Sequence, residues 1–288
     1  VLNGFEFRLP YEQRDSVLFQ DDDSFKFSRS TSNDSCKRLL KFTPLSEEVC
    51  ITNSDVPKIL IAGDSKAMSL YSAIYSKRIN LDAMLIAAHG CPLYPNLSYT
   101  PTFETGFSNN CTAIAKKIID TADKLDSIKT IILFNEADAV DTSLSRYNHD
   151  GIQLTRAGAF QSAYSFLLNA LRKTGKDIIV VSDNPSWAVD PKRCLQKLPL
   201  SRQDDAGCRM TTGAYQESLF IYFNALEKLK IDFAGVIFYD PTDVLCRREG
   251  ICDIQEEGRL LYFDKTHLSP FGAKKLFNAL IESGFIPK

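Results

Sequence analysis

The sequence predicts an α/β fold: a three-layer α/β/α sandwich with a central parallel sheet of five strands, preceded by an N-terminal extension. Apolar runs of strand length alternate with helical patterns from residue 58 onwards. This alternation favours a parallel sheet that is covered by helices on both faces. The chain has 288 residues, 44% of them hydrophobic, which is enough for one large α/β domain or two small ones. We assign residues 57–288 to the folded domain and residues 1–56 to the extension.

Five apolar runs predict the strands of the sheet. The first, residues 58–63, is rich in β-branched side chains and apolar after its lysine, as expected of a strand buried on both faces. The second, residues 81–88, has a less strand-like composition because it contains alanines and a methionine. In chain order, the predicted strands span residues 58–63, 81–88, 129–134, 177–182 and 235–239.

A helical pattern follows each of these runs. Gly175 ends the third pattern, and Ser269 and Pro270 begin the last one as its N-cap and first helical residue. The predicted helices span residues 65–77, 112–125, 154–173, 213–229 and 270–283.

Residues 1–56 differ from the rest of the chain. They contain an acidic triplet at residues 21–23, a run of Ser, Thr and Asn at residues 28–35, and short alternating patches. We interpret them as a linker or extension with one or two strands. A fully disordered tail is the alternative, although the aromatic residues favour packing of some parts. A start at Val1 rather than Met is expected of a processed product or of a piece of a larger protein.

Charge and hydropathy exclude two classes of function. The formal net charge is −2, and no basic stripe alternates with aromatic residues, so nucleic acid is not an expected partner. The longest apolar stretches are shorter than the roughly 20 residues of a membrane-spanning helix. Residues 1–15 also lack the basic start and apolar centre of a signal peptide. The sequence gives no indication of oligomeric state.

Eight cysteines form four close pairs along the chain. None has the C-x-x-C spacing of a zinc site, and the chain has three histidines to assist metal binding, so a metal centre is not favoured. Four local disulfides in an oxidising compartment are the preferred interpretation, and eight free thiols in a cytosolic chain are the alternative. Sequence alone does not establish connectivity. Pairing of sequence neighbours gives Cys36–Cys50, Cys91–Cys111, Cys194–Cys208 and Cys246–Cys252.

Gly63, Asp64 and Ser65 lie where the first predicted strand passes into the first helix. Ligands of parallel sheets bind outside the carboxyl ends of the strands, and a serine at a helix N-terminus lies at the positive end of the helix dipole. Ser65 is therefore a candidate nucleophile. The alternative is that Ser65 merely caps the helix, as serines often do.

Asp264 and His267 are the candidate partners of that serine. A serine hydroxyl needs a base to take its proton, and an imidazole is a better base when a carboxylate holds its tautomer. The three-residue spacing lets Asp264 reach one ring nitrogen while the other faces outward. A surface histidine beside a turn aspartate is the alternative, and His89 and His149 are the other candidate bases.

An acyl-transfer site also needs donors to a developing oxyanion. The candidates are the backbone N–H of Ser65, the backbone of Gly90 after the second strand, and the side-chain amide of Asn135 after the third. Gly90 as an ordinary turn residue and Asn135 as a strand terminator are the alternatives.

Together these pieces resemble the four sequence blocks of the SGNH (GDSL-type) hydrolases, over about residues 58–288. The region from Cys246 to Ala273 more narrowly resembles the SGNH domain fused to membrane acyltransferases of bacterial surface polysaccharides. The cysteines at positions 91, 194 and 208 fit the same subgroup. Two positions differ from that pattern: Lys66 stands where many such domains have His, and the third block reads Phe-Asn-Glu-Ala-Asp rather than Gly-x-Asn-Asp.

The resemblance implies an SGNH hydrolase-like fold and a Ser65–His267–Asp264 triad that needs no cofactor or metal. It implies an O-acyltransferase, most simply an O-acetyltransferase, that modifies a bacterial cell-surface polysaccharide such as lipopolysaccharide O-antigen through an acyl-serine, with esterase side activity. The implied partners are a glycan acceptor and a fused or separate membrane acyltransferase domain that delivers the acyl donor. The implied location is the periplasmic face of the inner membrane.

Two other functions remain open at this point. The same triad would serve a secreted carbohydrate O-acetylesterase, which runs the reaction towards water. The altered third block would also suit a glycan-binding module on an SGNH-like scaffold without catalytic activity.

Overall fold

A computed structural model describes residues 34–41, 48–100, 107–137, 146–149, 152–195, 207–246, 249–257 and 259–286. Its strands are β1 (Glu48–Thr52), β2 (Ile59–Gly63), β3 (Ala83–Ala88), β4 (Ser98–Thr100), β5 (Thr130–Phe134), β6 (Arg146–His149), β7 (Ile152–Leu154), β8 (Asp177–Val181), β9 (Arg209–Thr211), β10 (Ile237–Tyr239), β11 (Ile251–Asp253), β12 (Gln255–Glu256) and β13 (Arg259–Leu260).

The helices cover the connections between these strands. They are α1 (Asp34–Leu40), α2 (Ser65–Tyr75), α3 (Phe107–Lys124), α4 (Arg156–Arg172), α5 (Pro191–Leu195), α6 (Thr212–Ser218), α7 (Phe220–Asp232), α8 (Thr242–Leu245) and α9 (Pro270–Glu282). Within the described ranges, no helix has both the length and the apolar character needed to cross a membrane.

The central sheet has the strand order β1-β3-β2-β5-β8-β10. The last five of these strands pair in parallel, as predicted, and β1 pairs with β3 in the antiparallel direction. This sixth strand comes from residues that the sequence analysis assigns to the extension. The division at residue 57 stays a prediction, and residues 1–33 lie outside the described part of the chain.

Two apolar layers cover the faces of this sheet. In β2, Leu60 and Ala62 face the layer of α3, α4 and α7, whereas Ile59 and Ile61 face the layer of α2 and α9. Successive side chains of a strand point to opposite faces, so an uninterrupted apolar strand serves both layers. The predicted α/β/α sandwich is confirmed.

Local details differ from the sequence-based expectation. The predicted helix over 213–229 is two helices, α6 and α7, because Leu219 leaves helical geometry with φ −120° and ψ 34°. Helix α3 begins five residues earlier than predicted, at Phe107. Three small sheets, β4-β6-β7, β9-β11 and β12-β13, were not predicted, because strands of two to four residues are too short to show periodicity.

All eight cysteines are paired, and the pairing of sequence neighbours is confirmed. One disulfide joins α1 to β1, and another joins the segment after β3 to α3. In the chain-entropy model, closing a loop of about 15 residues stabilises a fold by about 3 kcal/mol. The four bonds are Cys36–Cys50, Cys91–Cys111, Cys194–Cys208 and Cys246–Cys252.

Candidate active site

Ser65 lies at the carboxyl end of β2, as the first residue of α2. The N-cap of α2 is Asp64, whose Oδ1 accepts a hydrogen bond of 2.8 Å from the Lys66 backbone N–H. Ser65 therefore does not cap the helix, and its hydroxyl is available for another partner. Ser65 is 7% exposed, and its hydroxyl therefore meets that partner where little water reaches it.

That partner is His267. Its Nε2 lies 2.8 Å from the Ser65 Oγ, across 202 positions of sequence. The other ring nitrogen, Nδ1, lies 2.8 Å from Oδ2 and 2.9 Å from Oδ1 of Asp264. The three side chains that the sequence analysis selected thus form one continuous hydrogen-bonded chain, in the order expected for a serine nucleophile, its base and the group that orients the base.

Hydrogen bonds within and next to the loop of residues 264–267 fix its conformation. The Phe263 N–H donates to the His267 carbonyl at 2.8 Å, and the Asp264 Oδ1 accepts from the backbone N–H groups of Thr266 and His267 at 2.9 Å each. The loop then leads into α9, which Ser269 caps as predicted by accepting from the Gly272 N–H. Asp264 is therefore held by the loop that it serves.

These contacts also set the charge of Asp264. Burial opposes its ionisation, but the hydrogen bond and charge of His267 and the backbone N–H donors outweigh burial and lower the pKa of Asp264 to about 2. Asp264 is therefore a carboxylate at neutral pH. A permanent carboxylate holds the Nδ1 proton and leaves Nε2 free to accept one.

Asn135 and Gly90 lie at the same edge of the sheet. Asn135 directly follows β5, and its Nδ2 donates to the Cys91 carbonyl at 3.2 Å while its Oδ1 accepts from the Tyr164 hydroxyl at 3.2 Å. Gly90 precedes Cys91 in a turn with φ +62°. The Asn135 amide thus links the segments after β3 and β5, and the oxyanion roles of Asn135 and Gly90 stay predictions.

The other two histidines occupy different places. His89 is half-buried directly after β3, and His149 lies in β6, where it pairs with Ile152 of β7 in the small sheet. Of the three candidate bases, His267 is the one that the structure places against Ser65.

Sequence reasoning did not identify Asp183 or the second role of Asp64. Asp64 Oδ2 accepts from the Glu136 backbone N–H at 2.9 Å, which joins the Ser65 turn to the segment after β5. Burial raises the pKa of Asp64 to about 6, although its backbone donors and Lys66 lower it. Asp183 follows β8 and pairs with Lys66. The signal for Asp183 was present, since it is an acidic residue just beyond a predicted strand.

Gly63 gives the first stability prediction. A Cβ at this position would lie 1.9 Å from the Phe134 carbonyl oxygen of the neighbouring strand, and a backbone atom between two paired strands cannot move aside cheaply. We expect Gly63→Ala to lower the free energy of unfolding by more than about 4 kcal/mol, or to prevent folding. Urea unfolding followed by circular dichroism measures the loss.

The matched control for that substitution is Gly213→Ala. Nothing lies within 4 Å of a Cβ added to Gly213, which is in the first turn of α6. Alanine at a helical position is expected to leave stability unchanged or to raise it by about 0.5–1 kcal/mol. Equal stability of the two variants would contradict the steric argument.

A solved structure shares this fold. The chain is similar to a Salmonella ser. Paratyphi A lipopolysaccharide acetyltransferase periplasmic domain, with 15% identity, a TM-score of 0.55, and coverage of 91% of this chain and 100% of that one. It is also similar to a putative platelet activating factor from Streptococcus pneumonia, with 14% identity, a TM-score of 0.49, and coverage of 93% and 94%. None of the curated proteins compared with the chain matches it.

A family model gives the assignment. The model described as "SGNH domain (fused to AT3 domains)" matches residues 33–282, a range that includes Ser65, Asp264 and His267. AT3 domains are membrane acyltransferases, so the match supports an enzyme that carries out acyl transfer or acyl hydrolysis. The chain therefore belongs to the family of SGNH domains that are fused to AT3 domains.

Proposed function

We propose that this chain is a serine-dependent O-acyltransferase, most simply an O-acetyltransferase, that modifies a bacterial cell-surface polysaccharide through an acyl-serine. The observation that carries the proposal is the hydrogen-bonded chain from the Ser65 Oγ through the His267 ring to the Asp264 carboxylate. The likeness of the fold to a lipopolysaccharide acetyltransferase domain and the family's fusion to AT3 domains support this choice of acceptor and acyl group.

The first half of the reaction forms the acyl-serine. Ser65 Oγ attacks the acyl carbonyl of the donor while His267 Nε2 takes the serine proton. The tetrahedral intermediate collapses as His267 returns that proton to the departing group of the donor. Asp264 remains ionised and stabilises the imidazolium that exists between the two transfers.

The second half regenerates the serine. A sugar hydroxyl gives its proton to His267 Nε2 and attacks the acyl-serine carbonyl, and the proton then passes to Ser65 Oγ as the new ester leaves. Water can replace the sugar, which gives esterase side activity. In both halves, N–H groups of Ser65 and Gly90 and the Asn135 amide are the proposed donors to the oxyanion.

The remaining parts of the proposal concern location and partners. Four disulfides are typical of an oxidising compartment, which fits the periplasmic face of an inner membrane. There a fused or separate membrane acyltransferase domain delivers the acyl donor, and the glycan is the acceptor. We keep residues 57–288 as the proposed catalytic domain and residues 1–56 as the proposed link to such a partner.

Serine trapping tests the mechanism. We expect a fluorophosphonate to add one covalent group to the folded, disulfide-bonded chain, and peptide mapping to locate it at Ser65. Ser72→Ala is the control, because Ser72 is a buried serine of the same helix whose hydroxyl donates to a backbone carbonyl; it should label like the wild type. An unlabelled wild-type chain would support a glycan-binding module without catalysis, and a label at another residue would remove Ser65 as the nucleophile.

Product analysis separates transfer from hydrolysis. With an activated acetyl ester as donor and excess bacterial polysaccharide as acceptor, the proposal predicts acetylated glycan and a matching fall in released acetate. Removal of acetyl groups from an acetylated glycan, without transfer to any acceptor, would instead identify a carbohydrate O-acetylesterase.

A further inference from the structure

A buried ion pair lies behind the proposed active site. Lys66 Nζ is 2.7 Å from Asp183 Oδ1, and the two side chains are 0% and 2% exposed. Taking two charges out of water is expensive, and apolar residues of similar volume often stabilise a fold equally well or better. Stability alone is therefore a poor explanation for this pair, and its contacts suggest another.

Lys66 directly follows the proposed nucleophile, Ser65, and its side chain reaches Thr266, the residue before the proposed base. Its Nζ donates a second hydrogen bond, of 2.8 Å, to the Thr266 carbonyl, and the Thr266 peptide leads directly into His267. The ammonium therefore spans from α2 to the loop of residues 264–267. The same carbonyl accepts from Asn184 Nδ2 at 2.9 Å, so both donors hold one peptide of that loop.

Asp183 is itself held firmly at the carboxyl end of β8. Its Oδ2 accepts from the Ala137 backbone N–H at 2.9 Å, and its Oδ1 accepts from the Asn184 backbone N–H at 2.8 Å. Its backbone carbonyl accepts from the Tyr215 hydroxyl at 2.6 Å. The carboxylate thus joins the segments after β5 and β8, and Lys66 adds α2 and the His267 loop to the same network.

The electrostatics agree with this geometry. Burial disfavours the ammonium, but the carboxylates of Asp183 and Glu136 outweigh it and raise the pKa of Lys66. Lys66 is therefore charged at neutral pH, and a charged donor makes a stronger hydrogen bond to the Thr266 carbonyl than a neutral one would.

We infer that Lys66 and Asp183 are positioning residues, which hold the loop of residues 264–267 in the position that brings His267 Nε2 within hydrogen-bond distance of Ser65 Oγ. The inference rests on the proposed function. A displacement of about 1 Å between reacting groups can cost about 100-fold in rate. The pair touches neither Ser65 Oγ nor the His267 ring in its described hydrogen bonds, so its effect on the chemistry passes through the backbone of the loop.

Three variants test the inference: Lys66→Met, Asp183→Asn and the double variant. Each single change leaves an unpaired buried charge, so we expect the Tm to fall by about 10 °C and the kcat for a small acetyl ester to fall about 10- to 100-fold. The KM should change little, because no ester-binding group has been altered. In Asp183→Asn, the oxygen of the new amide keeps an acceptor for the Ala137 N–H.

The double variant separates positioning from stability. It removes both charges together, so the Tm should return to within about 5 °C of the wild-type value, while the Thr266 carbonyl still lacks the Lys66 donor. The kcat should therefore remain about 10- to 100-fold low. Recovery of kcat together with Tm would overturn the inference, because it would show a purely structural role. This variant also keeps the test possible if a single variant fails to fold.

Leu171→Ala is the control for destabilisation. Leu171 is fully buried in the last turn of α4, next to the start of β8 and so at the opposite edge of the sheet from Ser65. It should lower the Tm by an amount comparable to the single variants with an unchanged kcat. If the wild-type chain is labelled at Ser65 and the Lys66→Met variant keeps the wild-type kcat, this inference is overturned but the proposed function is not. An unlabelled wild-type chain would overturn the proposed function and this inference with it.

Discussion

Replacing Ser65 by alanine is expected to abolish ester hydrolysis and acyl transfer, with a fall in kcat of about 10⁴-fold or more. No acyl-serine can form without the hydroxyl, and His267 then has no nucleophile to activate. The lost side chain is a single hydroxyl whose described partner is the His267 ring, so the fold should persist. Turnover of an activated acetyl ester and a thermal melt of the same sample measure the two quantities.

Ser72→Ala provides the comparison for this variant. Both residues are buried serines of α2, but the Ser72 hydroxyl donates to the Ser69 carbonyl at 2.6 Å and has no proposed catalytic role. Its kcat should equal that of the wild type. Turnover by a cleanly folded Ser65→Ala chain at a rate near the wild type would remove Ser65 from the mechanism.

Asp264→Asn is expected to lower kcat by about 10⁴-fold without displacing the loop. Two backbone N–H groups, of Thr266 and His267, donate to Oδ1, so the oxygen of the new amide would remain there. Its NH₂ would then face His267 Nδ1 in place of Oδ2. An amide that donates to Nδ1 forces the ring proton onto Nε2, and a protonated Nε2 cannot accept the Ser65 proton.

The tautomer argument has its own control and its own contradiction. Asp240 also accepts a backbone N–H and a hydroxyl, both from Thr242, so Asp240→Asn makes the same chemical change in a similar turn and should leave kcat unchanged. Steady-state kinetics over pH 5–9 measures both variants. A loss below about 10-fold in Asp264→Asn would mean that another group orients His267.

Much of the candidate site was predictable because its signals are local. Ser65 follows an apolar strand at a Gly-Asp-Ser turn, and Asp264 and His267 stand three positions apart before a well-capped helix. Parallel strands place their carboxyl ends at one edge of the sheet. Residue type and position next to a predicted strand or helix were therefore sufficient to predict that Ser65 and His267 lie close together. The structure gives a distance of 2.8 Å between their reacting atoms.

Other features had no local signal. The sequence predicts one or two strands in the extension, but it does not indicate that one of them, β1, joins the central sheet. Strand β1 pairs with β3 through backbone groups that every sequence carries. The break at Leu219 between α6 and α7 is a change in the dihedral angles of one residue. Neither leaves a pattern in the order of apolar and polar side chains.

Patterns within the chain were enough to predict the alternation of strands and helices, the close cysteine pairs, and the three side chains that could form a nucleophile, a base and its orienting acid. Only the tertiary structure shows that Asp64 rather than Ser65 caps α2, and that Lys66 and Asp183 form an ion pair inside the protein. The two kinds of feature differ in sequence separation, because periodicity and strand composition are patterns of a few neighbouring residues. The Lys66–Asp183 pair depends on two segments that lie far apart in the chain and come together when the sheet forms.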